Sequence, residues 1–461
     1  MLRRIAAQMS KPIRCVLSWL RGRLEGVVFL AVAPILLAHG VLCRTRGGRA
    51  VTGAWGHVLA RWRWLAAHGL RGVREAWWGT LQYESTRKVW RHVLLTEWVE
   101  TGRALVASAD AKEIMVHVPG HIGDLLHTVP MLAELRRQKP AARISLVVGP
   151  WCEGLAKQIA PVDEIVVHAP QLIQWGRGVA ANSWSVTREL KILRQCREKR
   201  VDVLITTSPI DPSLLLFSRG VAPRQWIATG TCPDCYRAEA DVILAYDRHQ
   251  YEAQRIMGLL KPLGLDIAEA RLQWNVDVDR ESIGELPELG VDRWVALAPG
   301  AGWPGKQWPA ERFACLGDWV SDRYVAKVVL MGSADERELS AGIAAAMHQE
   351  SVNVAGRTSL VGAAQVLKQC ALLVTNDNGL LHVAAAVGTP TLALFGPTLP
   401  EQWAPRGEGH AVVRGTFTCG DCHPWHSRAR CQTEESCMNS ISVETVKQAV
   451  ERMECLTERK E

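Results

Sequence analysis

The chain has 461 residues, enough for two or three domains, and its 48% hydrophobic and 22% charged residues can bury ordinary apolar cores. Its 13 cysteines are odd in number and scattered, which excludes a small disulfide framework and favours a reducing compartment. The net charge of +7 is uneven, because residues 1–110 hold 17 Lys and Arg against 6 Asp and Glu, so an anionic partner is expected there.

An apolar run at residues 27–42 raises the question of membrane insertion. Its 16 residues fall short of the roughly 20 that a spanning helix needs, and Pro34 and His39 interrupt it. Basic residues on both sides define no orientation, and residues 44–49 are basic rather than the small residues of a signal-peptide cleavage site. A membrane-surface segment or a buried hairpin is therefore favoured over a spanning helix.

Residues 55–98 are rich in tryptophan and arginine. Trp55, Trp62 and Leu65 recur at helical spacing beside arginines, and eight of the 19 tryptophans lie before residue 111. Two interpretations stay open: a basic amphipathic helix at the headgroups of a bilayer, or a helical cap packed on the rest of the chain. No recognition motif accompanies the charge, so no nucleic-acid partner is predicted.

The first β-α-β pattern begins at residue 113. A short apolar strand at 113–119 is followed by a glycine-containing turn and helix at 120–135 and by a second strand at 143–149. Such a unit predicts a parallel sheet. Further strands are predicted at 163–167, 201–206 and 241–245. Asp124 then lies at the carboxyl end of the sheet. It is either a proton acceptor or a first-turn acid that interacts favourably with the helix dipole. From spacing alone the second interpretation is preferred.

A second α/β pattern follows a link at 286–290. Its predicted elements are a strand at 294–299, a glycine-rich loop at 300–309, strands at 326–332, 372–375 and 391–395, and a helix at 380–387 that stops at Gly388. The glycine-rich loop lacks the Gly-Lys-Ser/Thr order of a Walker phosphate-binding loop. Its glycines beside a helix start still suit an anion-binding site. Asp377, in the acidic turn after a buried strand, lies where open α/β sheets bind ligands, unless it only caps the helix.

Three motifs carry a resemblance. They are Gly123-Asp-Leu-Leu-His-Thr-Val-Pro130, the loop Pro299-Gly-Ala ending in Lys306-x-Trp-Pro309, and Asp377-x-Gly-x-x-His382-x-Ala-Ala-Ala386 with Leu394-Phe-Gly-Pro-Thr398. Together they resemble the ADP-heptose:lipopolysaccharide heptosyltransferases, glycosyltransferase family 9. The resemblance covers residues 112–450 and implies a GT-B fold: two Rossmann-like α/β domains, 111–285 for the acceptor and 290–450 for the nucleotide-sugar donor, facing across a cleft. Residues 1–110 form a helical Trp/Arg-rich extension outside it.

The resemblance also implies the catalytic residues. It reverses the preference at Asp124, which becomes the general base. Lys306 is matched to the lysine that contacts the donor diphosphate. The hydroxyl residues that often precede that lysine are replaced here by Ala301 and Gly302, so backbone amides would have to serve.

Further positions are matched to donor binding. Glu336, with Asp335 as its neighbour, is matched to the acid that holds the nucleotide ribose, and Thr358, Ser359 and Leu360 to the loop against the base. The resemblance implies that Asp377 grips hydroxyls of the donor sugar. The amides around Gly379 and Leu380 would face phosphate. His382 is in the same motif, although a histidine packed under the loop is the favoured interpretation of that residue by itself.

Four cysteines close in sequence form the last constellation: Cys419, Cys422, Cys431 and Cys437. Their number suits a tetrahedral site, but their spacing fits no common zinc finger. Structural zinc, structural iron and free thiols stay open. No catalytic metal is expected, because sugar transfer on the implied fold uses none.

The predicted function is inverting transfer of a heptose or similar sugar from an ADP-sugar to the lipopolysaccharide core or another envelope glycan. The partners are then the nucleotide sugar, a lipid-linked acceptor and, through residues 1–110, the inner face of the inner membrane, with the protein cytoplasmic and peripheral. The alternatives are a nucleotide-sugar epimerase of the same fold, a protein heptosyltransferase and a non-catalytic envelope scaffold.

Overall fold

The computed structural model describes residues 111–168, 186–210, 212–230, 240–276, 293–416 and 436–456. The predicted extension at 1–110, including the apolar run at 27–42, lies outside these ranges. Residues 103–461 make one compact unit. No helix in the described ranges has the length and apolar character needed to cross a bilayer.

The first sheet has six parallel strands in the order β3-β2-β1-β4-β5-β6. The strands are β1 Glu113–Val118, β2 Arg143–Val148, β3 Glu164–Val167, β4 Val203–Pro209, β5 Gln225–Gly230 and β6 Val242–Ala245. The helices of this half are α1 Ile122–Gln138, α2 Glu153–Ile159, α3 Val186–Glu198, α4 Pro212–Val221 and α5 Glu252–Met257. Short 3₁₀ turns occur at Pro150–Cys152 and Gly258–Leu263.

The second sheet repeats this order, because its six parallel strands run β12-β11-β10-β7-β8-β9. They are β7 Trp294–Ala298, β8 Lys327–Leu330, β9 Ser351–Asn353, β10 Cys370–Asn376, β11 Thr391–Phe395 and β12 His410–Arg414. The helices are α6 Ala310–Tyr324, α7 Arg337–Ala346, α8 Leu360–Lys368, α9 Gly379–Ala386, α10 Pro400–Trp403 and α11 Val443–Arg452. Short 3₁₀ turns occur at Pro304–Lys306 and Ala334–Glu336.

Both sheets therefore have the doubly wound Rossmann order, in which the strand order reverses beside the first strand of the sheet. The reversal falls between β1 and β4 in the first sheet and between β7 and β10 in the second. Ligands of such sheets bind outside the carboxyl ends of the strands at this point. The central strands are apolar almost throughout because helices cover both of their faces.

The two halves share a continuous apolar core. A single buried cluster contains Leu126 of α1, Tyr251, Trp274 and Val383 of α9. The connecting segment is fixed to the second half, since Trp274 N–H donates to the Ala386 carbonyl at 2.7 Å and Lys368 Nζ donates to the Val276 carbonyl at 2.6 Å.

Candidate functional site

The candidate site lies where the N-terminal turns of α1 and α9 meet, at the carboxyl ends of β1 and β10. Gly123 is the glycine that this approach requires, whereas Gly379 has room for a methyl group at ordinary contact distance. A methyl group on Gly379 would lie 3.7 Å from Ile122 Cβ, and one on Gly123 would lie 2.7 Å from His382 Cδ2. The glycine in the predicted Gly123-Asp124 turn is therefore required by the packing of one half on the other.

Gly123→Ala tests this contact. The added methyl group has to displace His382 or separate the two helices, so we expect a loss of about 1–3 kcal/mol in the free energy of unfolding by overpacking. Gly342→Ala is the matched control, because that exposed glycine of α7 has open space around it. The control should gain up to about 1 kcal/mol from helix propensity. Equal denaturant midpoints for the two variants would contradict the proposed close approach.

Asp124 is the third residue of α1 and forms a capping box with His121. Its Oδ2 accepts the His121 N–H at 2.6 Å. Burial raises the pKa of the Asp124 carboxyl to about 6, against the opposing effect of the His121 N–H, with Glu252 raising it further and Arg255 lowering it. A partly buried carboxylate with its pKa near neutrality is suited to act as a general base. The capping interpretation is confirmed by the His121 contact, and the role of proton acceptor stays a prediction.

The raised pKa has a consequence for stability. Asp124 releases its proton less readily in the folded chain than in the unfolded chain, so ionisation of this carboxyl lowers the free energy of unfolding. The destabilisation is complete above about pH 6. It is absent below the pKa that Asp124 has in the unfolded chain. We expect Asp124→Asn to melt at a higher temperature than the wild type at pH 8, with the difference shrinking from pH 6 towards pH 4. Thermal melts at a series of pH values measure this. If the difference in melting temperature between the variant and the wild type did not change with pH, ionisation of Asp124 would not destabilise the folded chain.

Lys306 and Asp377, predicted from separate motifs, form a buried ion pair. Lys306 Nζ lies 2.9 Å from Asp377 Oδ2, with side-chain exposures of only 15% and 8%. Thr398 Oγ1 donates to the same oxygen at 2.7 Å. Burial alone would raise the pKa of Asp377, but Lys306, His382 and the hydrogen bonds together lower it below its ordinary value. The second half thus presents a paired cation and anion beside α9.

Two asparagines, which the sequence marks only as turn residues, hold the glycine-rich loop in place. Asn376 donates to the Pro299 carbonyl at 2.6 Å and accepts the Trp308 N–H at 3.1 Å. Asn378 donates to the Gly300 carbonyl at 2.8 Å. The only sequence signal for this role is their position on either side of Asp377 at the end of a buried strand. Their amides fix the Lys306 loop relative to Asp377.

The same residue Asn378 caps α9. Its Oδ1 accepts the N–H groups of Leu380 at 3.0 Å and Leu381 at 3.2 Å. The amide of Leu380, predicted to face phosphate beside Gly379, is therefore already engaged by a side chain. A phosphate group there would have to compete with this cap, whereas the positive end of the helix dipole still points towards the site.

Glu336 ends a short 3₁₀ turn and lies directly against the glycine-rich loop. Its Oε2 accepts from Ser333 N at 2.7 Å and from Ser333 Oγ at 3.0 Å. The position of a Cβ atom on Gly300 would overlap the Glu336 carboxylate. Glu336 is thus fixed at the carboxyl end of β8 beside the loop that carries Lys306.

The turn at residues 358–360 lies at the neighbouring strand end. Ser359 is the N-cap of α8, since its Oγ accepts the Gly362 N–H at 3.1 Å. Thr358 and Leu360 flank it and are partly exposed. The preceding residues pack on the Glu336 turn, because Arg337 Nη2 donates to the Gly356 carbonyl at 2.9 Å. The structure thus brings this turn near Glu336 and gives Ser359 a capping role.

His382 lies beneath the site and connects the two halves. Its Nδ1 is 3.2 Å from His127 Nε2, so one ring donates a hydrogen bond to the other. Burial lowers the pKa of His382 to about 4 despite the opposing effect of Asp377, and burial also lowers the pKa of His127 well below its ordinary value. Both imidazoles are therefore neutral near pH 7. This agrees with the packed interpretation of His382, which is buried.

The cysteine constellation is described only in part. Cys437 is buried, and its Sγ lies against Gly396 at the end of β11. Cys419, Cys422 and Cys431 lie outside the described residues. Within the described ranges, no group of three or more histidine, cysteine or acidic side chains is arranged to hold a metal ion. Structural zinc or iron at the four cysteines stays a prediction.

Comparison with known proteins adds sequence relatives. The glycosyltransferase family 9 (heptosyltransferase) model matches residues 239–432. The chain is 28% identical over 321 residues to lipopolysaccharide heptosyltransferase 2 of Escherichia coli K12, covering 66% of this chain and 88% of the relative. It is 29% identical over 320 residues to lipopolysaccharide heptosyltransferase 1 of Pseudomonas aeruginosa, covering 65% and 83%.

Solved structures share the fold. The structure of E. coli ADP-heptose LPS heptosyltransferase II superposes with a TM-score of 0.58 at 22% identity, covering 74% of this chain and 98% of that one. A family 9 glycosyltransferase from Veillonella parvula gives a TM-score of 0.61 at 23% identity, covering 76% and 99%. These similarities, with the two repeated six-stranded sheets, confirm the predicted GT-B arrangement.

Proposed function

We propose that this chain, whose residues 239–432 match the glycosyltransferase family 9 (heptosyltransferase) model, transfers a heptose from ADP-heptose to a lipopolysaccharide-core acceptor with inversion at the anomeric carbon. The observation that supports this most strongly is that a carboxylate with a raised pKa and a lysine cation lie at the starts of two helices that pack together. Asp124 is in the first turn of α1, and the Lys306–Asp377 pair lies beside the start of α9, which packs against α1. One side can accept a proton while the other stabilises a leaving diphosphate.

The proposed reaction is a single displacement. Asp124 takes the proton of an acceptor hydroxyl, whose oxygen attacks the anomeric carbon of the donor in line with the leaving group. The new carbon–oxygen bond forms as the bond between that carbon and the diphosphate breaks. The electron pair leaves with the diphosphate, where Lys306 neutralises the developing charge. No metal is required for any of these steps.

The remaining polar residues would hold the donor. Asp377, directed by Lys306 and Thr398, would accept hydrogen bonds from hydroxyls of the transferred sugar. Glu336, held beside Gly300 by Ser333, would accept from the ribose, with the Thr358–Leu360 turn against the base. When the diphosphate binds, Lys306 would share its charge between the phosphate oxygens and Asp377.

The acceptor class follows from the relatives, which are named as lipopolysaccharide heptosyltransferases. A lipid-linked acceptor is presented at a membrane surface. The basic, tryptophan-rich residues 1–110 have the composition of a segment that contacts anionic headgroups, so we place the protein at the inner face of the inner membrane.

The proposal is tested by incubating the full chain with ADP-heptose and a lipid A–core acceptor that lacks the terminal heptose. The expected product is the acceptor with one added heptosyl residue by mass spectrometry, with ADP released in equal amount. Consumption of ADP-heptose without any acceptor would instead indicate an epimerase. Absence of donor binding and turnover would overturn the proposed function.

The placement of Glu336 gives a sharper test of donor binding. In Gly300→Ala the new methyl group has to move the Glu336 carboxylate, so we expect the Kd for ADP-heptose to rise about tenfold through loss of a charged hydrogen bond. Gly302→Ala is the matched control in the same loop, because that position has open space. Isothermal titration calorimetry compares the two. The same affinity in both variants would exclude Glu336 from the donor site.

A further inference from the structure

A second buried ion pair lies outside the residues assigned to substrates. Arg255 Nε donates to Glu252 Oε2 at 3.0 Å and Arg255 Nη2 donates to Glu252 Oε1 at 2.5 Å, within helix α5. The two side chains are only 3% and 5% exposed. Surface ion pairs of this i,i+3 spacing contribute little to folding stability. Burying two charges costs free energy of desolvation, so stability alone does not explain this pair.

The pair is held from three directions. Arg255 Nη2 also donates to the Thr207 carbonyl at the end of β4, at 2.6 Å. Gln402 of α10, in the second half, donates to Glu252 Oε2 at 3.1 Å and to the Tyr246 hydroxyl at 2.5 Å. The Tyr246 ring lies under the guanidinium at 4.8 Å. The orientation of the pair therefore depends on both halves of the chain.

One nitrogen of the guanidinium remains unused. Arg255 Nη1 is buried and has no hydrogen-bond partner among the described residues. A buried donor on a charged group that lacks a partner is unfavourable, because it has lost its hydrogen bond to water. The Arg255 guanidinium therefore keeps one donor that no described residue satisfies, beside its bidentate partner Glu252.

The pair lies next to the N-terminal part of α1, because the Tyr251 ring at the start of α5 contacts the His127 ring with 5.5 Å between centroids. Glu252 and Arg255 are the charged groups whose field acts on Asp124. The other titratable or charged groups there are Tyr246, Tyr251, His127, Arg406 over the Tyr251 ring at 4.9 Å and, from α9, His382. Burial keeps both tyrosines protonated and both histidines neutral near pH 7.

We propose that Arg255 and Glu252 are positioning residues that set the basicity of Asp124, Arg255 by stabilising its carboxylate and Glu252 by opposing that effect. This inference rests on the proposed role of Asp124 as the base. Neither residue needs to touch the substrate. Their opposing charges adjust how readily Asp124 holds a proton, while Gln402 keeps Glu252 in place from the second half.

Charge-selective variants separate this role from a purely structural one. The acidic limb of the pH profile is the fall in kcat/KM at low pH as Asp124 takes up a proton. Arg255→Met leaves the charge of Glu252 uncompensated, so this limb should move to higher pH by about one unit, which lowers kcat/KM about tenfold at pH values below it. Glu252→Gln leaves Arg255 uncompensated, so the limb should move down. The double variant removes both charges and should return the limb close to its wild-type position. Arg255→Lys keeps the charge and should keep the limb.

The experiment measures heptosyl transfer from pH 4.5 to 9 with the full chain and confirms folding by thermal melts. Opposite shifts in the two single variants support the proposal, since simple loss of structure would not move the limb in opposite directions. Wild-type rates of transfer with an unshifted limb in Glu252→Gln would overturn it, even if Arg255→Met fails to fold. Absence of transfer by the wild type would instead be a failure of the proposed function.

Discussion

Replacing Asp124 with asparagine is expected to reduce heptosyl transfer about a thousandfold, because a general base supplies two to four orders of magnitude. Asparagine keeps the shape of the side chain and an oxygen to accept the His121 N–H, so α1 should keep its N-terminal turn. The Kd for ADP-heptose should change less than about twofold, since the proposed donor contacts come from the second half. Transfer rates and titration calorimetry on the same preparation measure both quantities.

Glu153→Gln is the matched control for this variant. Glu153 is also a first-turn acid of a helix in the same half, but it is exposed and pairs with Lys157 at 2.7 Å on the surface. Its removal should leave transfer unchanged. Substantial turnover by Asp124→Asn would remove Asp124 as the base, and an equal loss in Glu153→Gln would show that the effect is general to helix starts.

Replacing Lys306 with methionine is expected to damage both stability and catalysis. The change leaves Asp377 buried without its cation, which costs about 3–5 kcal/mol for a broken buried pair. It also removes the charge that stabilises the departing diphosphate, for which we expect a loss of kcat of about a hundredfold or more. Denaturant unfolding and single-turnover kinetics measure the two effects separately.

Adding Asp377→Asn to Lys306→Met distinguishes the two roles. The double variant no longer buries an uncompensated charge, so stability should largely return while transfer stays low. The pH dependence provides a second check. The pKa of Asp377 is lowered in the folded chain, so the pair stabilises the wild type above the ordinary aspartate pKa, and this contribution is lost as pH falls through the lowered value. Full activity of the double variant would contradict the assigned roles.

The sequence predicted the central strands well because each is an apolar run buried on both faces. The predicted strand at 143–149 corresponds to β2, and Gly388, with φ of +84°, does end α9 as expected. Three strands were not predicted. β9 has only three residues, β12 is a partly exposed edge strand, and β5 reads Gln-Trp-Ile-Ala-Thr-Gly with polar ends. β9 and β12 have weak sequence patterns because they lie at the edges of the sheet and are short or partly exposed. β5 lies inside the sheet and is buried, but its polar ends leave too short an apolar run to indicate a strand.

The site was predictable to the extent that it depends on local position. Parallel strands bring their carboxyl ends to one edge of a sheet, so the sequence alone placed Asp124 and Asp377 after the ends of β1 and β10, where the structure has them. Contacts between distant residues could not be read in the same way. Lys306 and Asp377 are 71 residues apart, and His127 and His382 are 255 residues apart. Glu252 and Arg255 gave no signal, because an i,i+3 pair in a sequence is ordinarily a solvated helix face.

A crystal structure of the full chain with a slow-reacting ADP-heptose analogue would test the proposed mechanism most directly. We expect the diphosphate within hydrogen-bond distance of Lys306 and the heptose hydroxyls on Asp377. The anomeric carbon should face the Asp124 carboxylate, with space for one acceptor hydroxyl between them. A donor bound away from Lys306 and Asp377, or an anomeric carbon on the side remote from Asp124, would refute the mechanism.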